Sequence, residues 1–217
     1  MNIDGQSGQN RREVVIVDYG MGNLGSVANM VKYVGGTAHI SNDVNIVANA
    51  AFLILPGVGN FAYGMDCLQD LGLIESLNAA RNSGSHVLGI CLGMQLMTQW
   101  CEEGMRDGLG WFDLKTLRFP RELSTGERIS VPHMGWNQVD AKSDASQFKS
   151  VPVPSRFYFV HSYFVDGADA DECQATTVYG DTRFASAIGK GNVIGVQFHP
   201  EKSHKFGIAF LRDFIRR

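Results

Sequence analysis

The segment Gly89-Ile90-Cys91-Leu92-Gly93-Met94-Gln95 constrains this chain more than any other. Before it, residues 87–90 form a short apolar run that follows turn-type residues and reads as a buried strand. After it, Leu92, Leu96 and Trp100 recur every four residues, which suits one face of a helix over residues 92–103. A strand that turns sharply into a helix needs residues without a Cβ beside the turn. Glycine two residues before and two after a cysteine at such a turn describes a nucleophile elbow. A helix N-terminus behind Cys91 favours the thiolate, the reactive form. Taken alone, Cys91 also reads as a plain packing residue, because free cysteine is often buried.

The wider pattern agrees with this local geometry. Apolar strands near residues 14–17, 52–55 and 87–90 alternate with amphipathic helices near 24–34, 61–80 and 92–103, which argues for a parallel α/β sheet. From residue 111 to about 196 the pattern becomes β-rich, most clearly at 157–165 and 173–179. A final helix, 203–215, carries Phe206, Phe210 and Phe214 at four-residue spacing, an apolar stripe that reads as core packing. A chain of 217 residues is long enough for one domain with a substantial core. Its net charge of −3 implies no general affinity for nucleic acid. No apolar run reaches membrane-spanning length. Residues 1–13 are polar, lack the apolar centre of a signal peptide and are expected to be a flexible tail, with one domain over 14–217.

Two further segments supply chemistry. The apolar stretch 193–198 runs into His199-Pro200-Glu201-Lys202-Ser203, and Pro200 pushes His199 toward an extended conformation. Residues i and i+2 of an extended chain point the same way, so His199 and Glu201 can approach one site together. An imidazole can take a thiol proton, and a carboxylate can hold its tautomer. The plain reading of the tripeptide is a strand-to-helix turn with a surface carboxylate. The strand at 52–55 leads into Pro56-Gly57-Val58-Gly59-Asn60. Acyl transfer builds an oxyanion that needs preorganised N–H donors, and glycines let a backbone present them. Leu92, just after Cys91, is the second expected donor. An ordinary Pro-Gly turn is the alternative.

Together these segments resemble the triad-type, class I glutamine amidotransferases, over nearly the whole chain from Val14 to Arg217. The order is nucleophile, histidine, then glutamate two residues later; an α/β-hydrolase would place its acid before the histidine. Asp18-Tyr19-Gly20-Met21-Gly22-Asn23-Leu24, Pro132-His133-Met134-Gly135-Trp136-Asn137 and Tyr158-Phe159-Val160-His161-Ser162-Tyr163 resemble the glutaminase subunits of imidazole glycerol phosphate synthases. The resemblance implies an α/β, flavodoxin-like three-layer sandwich with a central, mainly parallel sheet and a β-rich second half. It implies that Cys91 attacks the glutamine amide, that His199 is acid and base, and that Glu201 orients His199. It implies an oxyanion hole of Gly57, Val58, Gly59 and Leu92, in a strand that in such enzymes is often misoriented until the partner binds its ligand. Gln95, Ser162 and Tyr163 match positions that hold glutamine. Residues 134–137 match a stretch near the partner interface and the ammonia exit. The implied partner is a (β/α)8 cyclase forming a heterodimer in histidine biosynthesis, and the implied location is cytoplasmic.

Other features carry less. Gly20-Met21-Gly22-Asn23-Leu24-Gly25 fits a dinucleotide fingerprint, and Asp43 lies near the ribose-binding distance. The β-rich second half offers no second mononucleotide-binding unit, so this loop reads as the opening of a helix capped by Asn23 or Ser26. His133 and His161 receive no catalytic role; His161 reads as a core or interface residue, and His39, His86 and His204 as structural or surface. No histidine pair has metal-ligand spacing, and neither metal nor cofactor is expected. Cys67, Cys91, Cys101 and Cys173 are expected to be reduced, with Cys67 and Cys101 in packing roles. Two other readings stand beside the main one: a paralogous glutaminase feeding a different synthase, and a non-catalytic module that docks a partner.

Overall fold

The computed structural model describes residues 12–217. Residues 1–11, most of the expected tail, lie outside the described residues. The first half alternates strand and helix: β1 (Glu13–Val17), α1 (Leu24–Tyr33), β2 (Thr37–Ser41), α2 (Val44–Ala48), β3 (Phe52–Gly57), α3 (Phe61–Asp70), α4 (Leu73–Asn82), β4 (His86–Cys91) and α5 (Leu92–Leu96). The second half is β-rich: β5 (Thr98–Cys101), β6 (Arg106–Asp107), β7 (Phe112–Arg118), β8 (His133–Ala141), β9 (Ser155–His161), β10 (Tyr163–Asp166), β11 (Cys173–Tyr179), β12 (Thr182–Lys190) and β13 (Val193–Val196). The helix α6 (His204–Ile215) closes the fold.

The strands form one sheet in the order β2-β1-β3-β4-β13-β12-β10-β7-β5-β6, with β11, β8 and β9 branching from β12. From β2 to β13 all neighbours are parallel. Beyond β13 the ladders through β12, β10 and β7 run antiparallel. This is an α/β fold with a mixed sheet. Successive side chains of a strand point to opposite faces, so each central strand feeds two cores. Ile16, Ile54, Leu88, Ile90 and Val196 pack with Val27 and Val31 of α1 and with Phe210 and Phe214 of α6. Val15, Val17, Leu53, Leu55 and Val87 pack with Phe61, Leu68 and Leu77 of α3 and α4 and with Leu92 and Leu96 of α5. Helices on both faces make the three layers, and strands covered on both sides read as unbroken apolar runs.

Three elements differ from the sequence reading. The helix expected over 61–80 is two helices, parted at Leu71 and Gly72, where Gly72 is left-handed (φ 65°). Both halves bury their apolar residues in the same core, so the spacing reads straight through the break. The helix expected over 92–103 ends at Leu96. Thr98 Oγ1 donates to the Gln95 carbonyl at 2.7 Å and shares a 3.1 Å hydrogen bond with Thr116 Oγ1. The chain then pairs with β7 through Trp100 and Cys101. Here tertiary pairing overrides a helical spacing. The strand expected over 157–165 is two strands, broken at Ser162.

Candidate active site

The sheet order brings the three expected segments together. In β3 and β4 the parallel register pairs Gly57 with Cys91. On the other side of β4, β13 pairs Val196 with Ile90. The residues that follow Val196 therefore emerge beside Cys91. All three segments leave the carboxyl ends of adjacent parallel strands, where ligands bind in open α/β sheets.

Cys91 sits at the turn between β4 and α5 with φ 55° and ψ −109°. A side chain is strained there, and such strain gathers at functional sites. The two flanking glycines are required by space. A Cβ on Gly93 would lie 1.8 Å from the Leu55 carbonyl oxygen, and one on Gly89 would lie 2.8 Å from the Gly93 carbonyl group. The strand-to-helix elbow is thus present, but the helix behind it is only five residues long.

His199 and Glu201 meet as expected, with His199 Nδ1 and Glu201 Oε1 2.7 Å apart. The route differs from a simple extended chain. His199 is extended (φ −102°, ψ 97°), and Pro200 then opens a 3-10 turn, Pro200–Lys202, that brings the carboxylate back to the ring. The backbone N–H of His199 donates to the Tyr158 carbonyl at 2.9 Å, and Ser203 Oγ donates to the His199 carbonyl at 2.6 Å. Both side chains of the pair are nearly fully buried. Because a carboxylate only accepts, Nδ1 carries the proton and Nε2 is left for other work. Among the described residues Nε2 has no hydrogen-bond partner, and neither has Glu201 Oε2. Burial alone would lower the His199 pKa; the neighbouring Cys91 sulfur and the Glu201 carboxylate outweigh it and hold the ring at about 10. Among the described residues Cys91 Sγ lies close enough to His199 to raise its pKa without meeting Nε2 in full hydrogen-bond geometry.

Gln197 was not singled out from sequence. Fully buried, it donates from Nε2 to Cys91 Sγ at 3.7 Å and accepts at Oε1 from Gln95 Nε2 at 3.0 Å. Its signal was available: it lies two residues before His199 on the same apolar stretch. Gln95 is buried and also donates to the Tyr163 carbonyl at 2.9 Å. Ser162 and Tyr163 lie half-buried at the break between β9 and β10. Gln95, Tyr163 and Gln197 thereby join Cys91 in one hydrogen-bonded group.

Of the expected oxyanion residues, Gly57 and Leu92 are buried against the elbow. Val58 is exposed and Gly59 has a φ of 131°. The Gly20–Gly25 loop packs behind this segment, with Gly22 close against the Gly57 backbone. Asn23 Oδ1 accepts from Ser26 N at 3.1 Å and caps α1, while Asp43 caps α2 through Asn45 N and Ile46 N. Both features of the dinucleotide-like motif are thus explained locally. Cys101 is buried and burial pushes its thiol up to about 12, which suits packing. Among the described residues no helix is long and apolar enough to cross a membrane, and no group of three or more His, Cys, Asp or Glu residues could hold a metal ion.

The family described as glutamine amidotransferase class-I matches residues 15–217. The chain belongs to this family. As a class-I glutamine amidotransferase it has relatives that match it nearly end to end. Imidazole glycerol phosphate synthase subunit HisH 2 of Methanococcus maripaludis is 46% identical, covering 94% of this chain and 99% of the relative. Subunit HisH 2 of Pseudomonas aeruginosa is 42% identical, covering 93% and 98%. Two solved structures share the fold: PurLQS from Thermotoga maritima, with a TM-score of 0.67 at 16% identity over 95% of this chain and 96% of that one, and the glutaminase domain of Trypanosoma brucei CTPS with bound acivicin, 0.64 at 15% over 95% and 94%. At these identities they speak for the flavodoxin-like architecture of class-I amidotransferases alone.

Proposed function

We propose that this amidotransferase is the glutaminase subunit of an imidazole glycerol phosphate synthase, working through Cys91, His199 and Glu201. The reading is carried by one observation: the elbow cysteine and the His199–Glu201 pair leave neighbouring parallel strands, in a chain 46% identical to a HisH subunit.

Cys91 Sγ attacks the side-chain amide carbon of glutamine, and His199 Nε2 holds the thiol proton. The resulting oxyanion is stabilised by backbone N–H groups of Gly57, Val58 and Gly59 and of Leu92. His199 passes its proton to the amide nitrogen, the C–N bond breaks, ammonia departs and a glutamyl thioester remains. His199 then takes a proton from water, hydroxide adds to the thioester, and glutamate leaves as Cys91 is restored. Glu201 keeps Nδ1 protonated, so Nε2 always faces the reaction. Gln95, Ser162 and Tyr163 hold the substrate. Ammonia is delivered to a (β/α)8 cyclase docked near residues 134–137, in a cytoplasmic heterodimer. Met134 and Trp136 are exposed there, which supports that placement. Residues 14–217 form the amidotransferase domain, with Glu13 already paired to Thr37 in its sheet.

The test is glutamate release from glutamine by the chain alone, then with a cognate cyclase and its nucleotide ligand, with Cys91→Ala as control. Strong stimulation by the cyclase, lost in the variant, supports this reading. Cys91-dependent hydrolysis indifferent to that cyclase points to a different synthase. Absence of Cys91-dependent hydrolysis under every condition leaves a docking module. Within the active complex, His199→Ala is expected to lower kcat by about 10²–10⁴-fold, the range of general acid–base catalysis.

A further inference from the structure

Behind the Gln95 and Tyr163 side of the site lies a pair of buried histidines that the reaction above does not use. His161 Nδ1 lies 2.7 Å from the Tyr163 carbonyl oxygen. His161 Nε2 lies 3.0 Å from His133 Nδ1. His133 Nε2 lies 3.2 Å from Asn137 Nδ2, which also donates to the Val178 carbonyl at 2.9 Å.

One end of this chain fixes every proton in it. A carbonyl only accepts, so His161 must donate from Nδ1. Burial pushes the pKa of His161 down to about 3 and that of His133 down to about 4, so both rings are neutral and carry one proton each. His161 Nε2 is then an acceptor, and His133 must donate to it from Nδ1. His133 Nε2 in turn accepts from the Asn137 amide, whose other proton goes to Val178. Every ring nitrogen is satisfied and all bonds point one way, from β8 to Tyr163. The rings are clamped by aromatic neighbours. His133 stacks on Tyr179 and Phe159 with centroids 4.1 and 4.8 Å apart, and Phe119 and Phe184 pack against His161 at 5.3 and 5.4 Å.

The Tyr163 carbonyl therefore receives two donors, His161 Nδ1 and Gln95 Nε2. Gln95 is joined through Gln197 to Cys91. We infer that His161 and His133 are positioning residues for glutamine: a rigid, tautomer-locked strut that holds the Tyr163 carbonyl, and with it the Gln95 side chain bonded to it, in binding geometry. This rests on the glutaminase reading, because that geometry matters only if glutamine is the substrate. Neither ring hydrogen-bonds Cys91 itself, which is reached only through Gln95 and Gln197, so the effect of the strut is read first in KM.

The experiment has two arms. Imidazole nitrogen NMR on the intact chain is expected to show both rings protonated on Nδ1; a proton on Nε2 of either ring overturns the strut whatever the variants do. The second arm measures kcat and KM for glutamine in the complex with cyclase and its ligand. His133→Phe keeps the ring stack but removes the donor, and is expected to raise KM about tenfold, the size set by one buried acceptor losing its donor, with kcat changed by less than about threefold. His133→Asn places a donor near the Nδ1 position and is expected to restore KM to within about threefold of the parent. A folded His133→Phe whose KM stays within about twofold of the parent overturns the proposal, since a merely structural pair would move thermal stability and not KM. Parent enzyme with Cys91-dependent hydrolysis and such an unmoved KM sinks the strut alone; a parent without that hydrolysis sinks both readings.

Discussion

At the scale of single residues, the backbone of Cys91 makes a prediction that runs against the usual order of substitutions. Its φ of 55° and ψ of −109° suit glycine far better than any residue with a Cβ. Cys91→Gly is therefore expected to be more stable than Cys91→Ala by about 1–3 kcal/mol in urea denaturation, the strain stored at such a position, though both lose the thiol. Equal midpoints would mean that the elbow is not strained. Tyr19 offers a second case. Its hydroxyl is buried behind Gly57 without a partner among the described residues, and burial keeps the phenol neutral. Tyr19→Phe is expected to leave stability unchanged or raise it by about 1 kcal/mol, because an unmatched buried hydroxyl is removed. The paired histidines set the acid limb. Their pKa values lie below the ordinary 6.5, at about 4 for His133 and about 3 for His161, so the unfolded chain binds more protons as pH falls through 6.5. Their contribution to stability is thus full above 6.5 and is lost toward pH 4, by about 3 kcal/mol for His133 alone. Unfolding free energies between pH 7 and 4 test this, and the slope is expected to be shallower in His133→Phe.

At the scale of elements, sequence was most legible where one element's own residue pattern marks its ends or its buried face. α1 was expected at 24–34 and runs Leu24–Tyr33, because Asn23 caps it locally. β11 was expected at 173–179 and is Cys173–Tyr179. The Phe206, Phe210 and Phe214 spacing marked α6, and Phe210 and Phe214 are fully buried. Phe210→Ala is expected to cost about 3–5 kcal/mol, measured as a loss of unfolding free energy, because no neighbour can refill the space left among Phe148, Phe157 and Phe198. Legibility failed where a distant strand decides. Trp100 has helical spacing with Leu96, yet its backbone belongs to β5 because β7 is there to pair with it. No local pattern announces that partner. The break at Gly72 was hidden for a related reason, since two short helices facing one core share one apolar rhythm.

At the scale of the whole molecule, the residues of the candidate site were legible and their arrangement was not. Cys91, His199 and Glu201 could be picked out by residue type and order. That His199 and Glu201 meet through a 3-10 turn, and that Gln197 links Gln95 to Cys91, depends on β13 lying beside β4. β13 is the last strand in sequence and the fifth in the sheet, between β4 and β12. A chain ended after Lys190 is expected to show no cooperative thermal transition, since it leaves the parallel and antiparallel halves unjoined. The same placement bears on how the protein is made. A ribosome delivers the thiol-bearing elbow long before His199, and the gap between β4 and β12 stays open until β13 arrives. On the proposed reading, release of ammonia waits for the strand that carries His199 into place: a product terminated before it holds an elbow cysteine with no histidine beside it.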